Sequence, residues 1–430
     1  VIEYLKLNGV GPAPNMLIEF GPRLNIITGD NGLGKTFALD IAWWSLTRTW
    51  SARPAVPRPN AKGTPTIEYT IKGKTGEPTG PITAQYDKES QDWTAPAGRP
   101  PMPGMVVYVR IDGGFSIWDP ARNYWKRLSA RGFDQPDRPE AFHFTPEQLW
   151  QGLTTPKGTV FCNGLIRDWI TWQFQKPELY AAFTAVLAGL SPHETERLRP
   201  GKPVRSSILD ARDEPTLELP YGTIPITLAS AGMRRIISLA YALVWAWAEH
   251  QEAAAILHQR PTDRIVLLID EAEAHLHPQW QRVLLPAIMD VLAQSCFEQL
   301  ATNVQLLVTT HAPLVLASVE SRFDMKTDRL ITFNLSPGSG EVLVATEPWA
   351  KQGDVLGWLV SETFGLKQAR SLEAENAIEA AEAFMRKEPT EKLPPGLQNK
   401  REIHAQLLRT LPGHDPFWPR WIVSTEEGHS

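Results

Sequence analysis

Four short groups of residues are equipped for chemistry. The first is Gly29-Asp30-Asn31-Gly32-Leu33-Gly34-Lys35-Thr36, which fits the spacing G-x-x-x-x-G-K-[ST]. Glycines let successive backbone N–H groups turn inward around an anion, and a helix start behind them adds a favourable dipole. In such a loop Lys35 reaches the β- and γ-phosphates of a nucleoside triphosphate, and the Thr36 hydroxyl ligates Mg²⁺. The second group, Asp270-Glu271, ends the aliphatic run Ile265–Ile269. An Asp at that place holds Mg²⁺ in P-loop enzymes, and a Glu directly after it can orient and deprotonate an attacking water. Third, Thr309-Thr310-His311 follows the aliphatic run 304–308, so the His311 imidazole can sense a γ-phosphate from a strand end. Fourth, Ser230-Ala231-Gly232 precedes a long apolar helix and sets a hydroxyl and free N–H groups at a positive helix end. A serine cap before a buried helix is common, so this last group gains its meaning from the other three. Glu273, His275 and His277 include H-x-H spacing, but no further Cys/His cluster accompanies them and no metal site is expected there.

Groups of this kind need strands that end at one edge of a sheet. Residues 24–28 read as a buried strand before the glycine loop, and 37–50 as the helix after it. Ile265–Ile269 reads as a central parallel strand buried on both faces, and 304–308 as another strand. Residues 1–7 alternate like an edge strand, with 15–20 as the hairpin partner. The 51–104 stretch is rich in Pro, Gly and Thr and holds two short strand candidates, 66–72 and 82–86. Residues 105–111 predict a buried strand, and the aromatic 112–125 segment a long loop pinned to the body by its rings. Helices are expected at 163–175 and Pro177–Gly189, after a cap at Thr145-Pro146-Glu147, with Gly189 as a C-cap. Arg197, Arg199, Lys202 and Arg205 read as a solvated loop, with a phosphate-facing patch as the alternative. Proline density and the lack of sustained heptads exclude a long coiled coil between the first two motifs.

Composition narrows the classes. The chain of 430 residues is 42% hydrophobic and 21% charged, as in soluble globular proteins. No apolar run reaches membrane-spanning length and the N-terminus is not a signal peptide, so a cytoplasmic protein with no membrane partner is expected. Cys162 and Cys296 are too few and too far apart for a zinc site or a disulfide framework. A net charge of −5 gives no global attraction to nucleic acid. The 37 prolines and 16 tryptophans point to long but well-packed loops.

Taken together, the loop, the Ser-x-Gly before a helix, the strand with Asp-Glu and the strand with Thr-His resemble the ABC-type ATPases of the SMC/RecF branch. Within that branch the chain is most similar to the compact ATPases with DE-x-E-x-HLHP and TH-x-P motifs. These include the overcoming-lysogenization-defect (OLD) family and the ATPase subunits of Septu, retron and related anti-phage systems. The resemblance covers about residues 1–50 and 205–345. It implies an α/β fold: an ABC-type P-loop head with a β-rich N-terminal lobe, a helical insertion and a helical C-terminal tail. The expected division is an ATPase core at 1–50 and 201–345, an insertion at 51–200 and a tail at 346–430. The implied cofactors are ATP and Mg²⁺. Residues 29–36 would bind the triphosphate, Thr36 and Asp270 the metal, with Glu271 as general base and His311 as switch histidine. Ser230, Ala231 and Gly232 would complete a second protomer's nucleotide across a head-to-tail dimer or larger assembly, linked by 272–277. The signature departs from transporter-type ATPases at Ala231 and Met233, and the usual glutamine loop has no assigned place.

The segment after 345 holds Asp354 and Asp415 as isolated acids, with no Asp-x-Asp pair and no HNH-like His cluster, so no nuclease can be assembled from it. Helices are expected at 354–363, 372–386 and near 399–410, and the aromatic run 414–421 reads either as packing or as a docking surface. The resemblance therefore implies an ATPase that controls a separately encoded nuclease. The alternatives are a RecF-like DNA-binding repair ATPase, with DNA as partner, and a slow nucleotide-gated scaffold, which Glu271 argues against. A transporter head fits least.

Overall fold

Five consecutive aliphatic residues bury both faces of a strand only inside a sheet covered on both sides. In the computed structural model every residue of Ile265–Ile269 is buried. The structure describes residues 1–430 except 62, 74–78, 95–101, 125–138, 193–196, 294–302, 337, 390–392 and 427–430. Trp125 and Cys296 lie outside the described residues. The chain forms two units, Val1–Gly353 and Asp354–Ser430.

The first unit is α/β. Its eight-stranded sheet runs Val342–Glu347, Arg329–Leu335, Leu24–Gly29, Val304–Thr309, Ile265–Ile269, Met105–Val109, Phe115–Trp118, Phe142–Phe144. The five strands from Arg329–Leu335 to Met105–Val109 are parallel, and the outer ones pair antiparallel. Register aligns the ends: Ile269 faces both Val109 and Val308, and Thr309 faces Ile27. The segments that follow four of these strands therefore leave the sheet side by side. This is the edge at which open α/β sheets hold ligands.

A second, antiparallel sheet runs Asn15–Glu19, Ile2–Asn8, Thr66–Ile71, Ile82–Asp87, Asp92–Thr94. Ile2–Asn8 is thus an interior strand, not the edge strand that its alternation predicts. Alternation reports which face is buried, and it cannot report that Thr66–Ile71 pairs on the far side. Gln305 stitches the sheets together. Its buried amide accepts from Ile2 N at 2.9 Å and donates to Ile2 O and Gly21 O at 2.8 and 2.9 Å. One hydrophobic cluster joins Leu5, Tyr69, Val106, Leu268 and Ile331 with Leu39 and Trp43 of the helix Lys35–Thr47, so this helix lies within the core shared by both sheets. It stops at Thr47 rather than Trp50, because Arg48 turns to φ 59° and donates its N–H to Trp44 O.

The 51–200 stretch supplies strands to both sheets, Thr66–Ile71 and Ile82–Asp87 to one, Met105–Val109 and Phe115–Trp118 to the other. The predicted aromatic loop is in part strand: all four residues of Phe115–Trp118 are buried. Leu165–Gln175 and Pro177–Gly189 are helices, and Thr145 opens a capping box with Gln148. Gly189 is not a left-handed cap. The cap is Leu190, and a Cβ at Gly189 would stand 2.8 Å from Val291 Cγ2, so the glycine makes room for the helix Pro278–Ala293.

The second unit is helical: Val355–Val360, Leu372–Met385, Lys400–Thr410 and Phe417–Glu426. Asp354, Ser371 and Asn399 cap the first three with side-chain oxygens. Phe417, Trp418 and Trp421 are buried in this unit's own core with Ala377, Ile403 and Leu407, so these three rings are packing rather than exposed anchors. Among the described residues, no helix is long and apolar enough to cross a membrane.

Candidate nucleotide-binding site

The 29–36 loop leaves the sheet at Gly29, where φ is 127° and a Cβ would fall 2.0 Å from Phe333 O. Only glycine fits there. Lys35 is buried, and its ammonium folds back on the loop, donating to Gly29 O at 2.8 Å and Asp30 O at 2.6 Å. Burial lowers its pKa from the ordinary lysine value, against the raising influence of Glu271 and Asp30. Asn31 and Gly32 are exposed, Leu33 is buried, and Gly34 leads into the helix.

Thr36, in the first turn, donates to Asp270 Oδ1 at 3.1 Å. The same carboxylate oxygen accepts from Thr309 Oγ1 at 2.7 Å, and Thr309 Oγ1 accepts from Glu271 N at 2.8 Å. Asp270 is 1% exposed, and its Oδ2 is buried with no hydrogen-bond partner among the described residues. A buried carboxylate oxygen without a donor is uncommon and calls for an ion or a water. Glu271 adopts φ 46°, a left-handed conformation that costs on the order of 1–3 kcal/mol in a non-glycine residue and collects at functional sites. His311 Nε2 lies 3.4 Å from Glu271 Oε1.

The fold thus brings together Lys35, Thr36, Asp270, Glu271 and His311. It does not bring Ser230, Ala231 and Gly232 into that group. Ser230 and Ala231 are exposed at the start of the helix Ala231–Ile256, where Ser230 Oγ accepts from Met233 N at 3.3 Å. Among the described residues, no hydrogen bond joins them to the 29–36 loop.

Three further side chains hold the site: Thr309 and Glu273 lie within the motifs, which assign them no such role, and Arg235 lies outside them. Thr309 ties Asp270 to Glu271, as above. Glu273, singled out for H-x-H spacing nearby, instead accepts from Thr310 Oγ1 at 2.7 Å and from His311 N. Arg235 donates through Nη2 to Asp270 O at 3.1 Å and Glu271 O at 3.0 Å. Burial lowers its pKa, opposed by Glu273, Asp270 and Glu271. The available signal was an arginine one turn into a helix that is buried from Ile236 onward. No glutamine follows Met105–Val109, the neighbour of Ile265–Ile269. Arg110 stands there, bonded to Ser116 Oγ at 3.0 Å, Phe144 O at 3.1 Å and Asp112 Oδ1 at 3.2 Å.

A family profile described as AAA ATPase domain matches residues 213–316, which include Ser230–Gly232, Asp270-Glu271 and His311. The Septu protein PtuA of Bacillus thuringiensis is 23% identical over 91% of this chain and 91% of its own length. Retron Ec83 probable ATPase of Escherichia coli is 37% identical over a segment covering 13% of this chain and 9% of that protein. Among solved structures, the SMC head domain from Thermotoga maritima is similar at TM-score 0.41 and 16% identity, covering 81% of this chain and 99% of that one. The chain is thus similar to Septu protein PtuA over nearly its whole length, and to an AAA ATPase domain over the segment that carries Asp270, Glu271 and His311.

Proposed function

We propose that this protein binds and hydrolyses MgATP, and that ATP joins two copies head to tail to control a separately encoded effector, a nuclease, in anti-phage defence. The observation that carries the reading is Asp270: one oxygen tied to Thr36 and Thr309, the other buried and unpartnered beside the phosphate-type loop. That donor set fits a hard cation, and Thr36 and Asp270 would hold Mg²⁺. The bound ion would supply charge neutralisation on phosphate oxygens. The 29–36 backbone N–H groups and Lys35 bind the triphosphate. Glu271 takes the proton of the attacking water, and His311, 3.4 Å away, reads the same γ-phosphate region.

Ser230, Ala231 and Gly232 form an exposed helix start with no phosphate of their own chain nearby, which supports a partner's γ-phosphate as their ligand. ATP would hold the pair and hydrolysis release it, a population switch. The ATPase core would be 1–50 and 201–345, with strands lent by 51–200, and the 346–430 tail would be open to the effector. The likeness to PtuA over 91% of both chains supports the defence setting.

The test uses Glu271→Gln, which should bind MgATP without turning it over and accumulate as the assembled form. Capture from the native host under phage challenge should recover a nuclease. Recovery of DNA and repair proteins alone would replace this reading with a DNA-repair ATPase. A variant that stays monomeric with MgATP would overturn the head-to-tail pair.

A further inference from the structure

The parallel ladder between Ile265–Ile269 and Val304–Thr309 ends at the pair Ile269 and Val308. Beyond that pair a single residue takes over the contact. Thr309 Oγ1 donates to Asp270 Oδ1 at 2.7 Å and accepts from Glu271 N at 2.8 Å, and Thr309 O accepts from Ala272 N at 3.1 Å. Three consecutive residues of the segment that leaves the sheet are thus held by one threonine. That threonine is itself anchored from the other side: it faces Ile27 in register, and the next residue, Thr310, donates its N–H to Ile27 O at 3.0 Å. Both threonines are fully buried.

A hydroxyl carries one hydrogen and two acceptor positions. An ionised carboxylate has nothing to donate, so the Thr309 hydrogen is committed to Asp270 and a lone pair to the Glu271 N–H. Thr36 donates to the same Oδ1 at 3.1 Å. Two hydroxyls therefore serve Oδ1, and Oδ2, buried with no partner among the described residues, is the oxygen left for a cation or one of its waters. At Glu271 the left-handed φ of 46° has to be held against relaxation. Its own N–H and that of Ala272 both end on Thr309. Valine at 309 would keep the shape, yet free the Asp270 carboxylate to rotate and leave the Glu271 N–H unbonded.

We infer that Thr309 is a positioning residue that ties the cation's aspartate to the base: through one hydroxyl, cation affinity at Asp270 and the placement of Glu271 rise and fall together. The inference rests on the MgATP reading above.

The test compares Thr309→Val, which removes the hydroxyl at nearly constant volume, with Thr309→Ser, which keeps it. Mn²⁺ binding to the ADP-loaded full chain is measured by electron paramagnetic resonance, and kcat for ATP at saturating Mg²⁺. Partners that orient a metal's ligands carry about tenfold to a hundredfold in affinity or activity. Thr309→Val should weaken Mn²⁺ binding by about that factor and lower kcat even when Mg²⁺ saturates, while Thr309→Ser stays within about threefold of the parent in both. Thr309→Ala repeats the comparison if the valine variant does not fold. Unchanged Mn²⁺ affinity on loss of the hydroxyl, or an equal loss in the serine variant, would overturn the role of the hydroxyl. Weaker Mn²⁺ binding with unchanged kcat at saturating Mg²⁺ would overturn the tie to Glu271. A parent chain that binds neither ADP nor Mn²⁺ would overturn the MgATP reading, and this inference with it.

Discussion

Arg235 and Glu271 are joined by a hydrogen bond of 3.0 Å from the guanidinium to the Glu271 carbonyl, and the same Nη2 reaches Asp270 O at 3.1 Å. The residue it holds is in a left-handed conformation, and its N–H is fixed from the other side by Thr309. Glu271 is thus clamped at both ends of its own backbone. Arg235→Lys keeps the charge but loses the planar fork. It is expected to lower kcat by about tenfold to a hundredfold, the scale of a small misplacement of a reacting group. ATP affinity should stay within about threefold. Steady-state kinetics beside direct nucleotide binding check this, and an equal loss in both would show that Arg235 merely supports folding.

His143 gives stability a pH dependence of defined sign. Burial, and then the Arg110 charge, push its imidazole down to about 4 from an ordinary value of 6.5. Its Nδ1 lies 2.9 Å from Ser116 Oγ, which also accepts from Arg110. Between about pH 6.5 and 4 the unfolded chain therefore binds more protons at this residue than the folded one. The stability it contributes is fully present above pH 6.5 and is lost as the pH falls toward 4. The full shift corresponds to at most about 3 kcal/mol. His143→Phe should flatten that part of the curve, seen as a smaller drop in unfolding free energy between pH 7 and 4.5 in urea titrations. Parallel curves for the two proteins would contradict it.

A buried polar knot anchors Leu165–Gln175 to Ala231–Ile256. Tyr241 donates to Asp168 Oδ2 at 2.8 Å, Asn163 donates to Asp168 Oδ1 at 2.9 Å, and Cys162 Sγ lies 3.2 Å from the Tyr241 oxygen. Burial pushes the Cys162 thiol up to about 11 and raises Asp168 above the ordinary carboxylate range. Tyr241→Phe strips a donor from a buried acid and should destabilise the fold by about 1–3 kcal/mol. In the double variant with Asp168→Asn the losses should be non-additive, because both substitutions break one contact. Strict additivity in urea unfolding would mean that the two side chains are energetically independent.

Much of this architecture is legible in the residues themselves. Ile265–Ile269 announces a buried parallel strand because five aliphatic residues in a row have no other economical place, and the apolar, β-branched run before the glycine loop announces Leu24–Gly29. The spacing of Lys35, Asp270, Glu271 and His311 then requires that their strands end at one edge, as they do. Arg235, Thr309 and Glu273 are not legible in that way. Each acts on a neighbour distant in sequence, so its contact exists only once the register of Ile265–Ile269 against Val304–Thr309 is set. The interior position of Ile2–Asn8 and the strand Phe115–Trp118 were hidden for the same reason. Pairing partners, unlike buried faces, leave no periodic mark on the chain.

The Gln305 stitch has a consequence for synthesis. Ile2 meets its amide partner 303 residues later, and Leu24–Gly29 lies between two strands that both come from beyond residue 303. At roughly 5–20 residues per second, the phosphate loop waits on the order of tens of seconds on the ribosome before either flanking strand exists. During that interval Ile2–Asn8 can pair within its own sheet, whose strands all lie within residues 2–94, whereas Leu24–Gly29 has neither of its neighbours to join and its apolar residues stay uncovered.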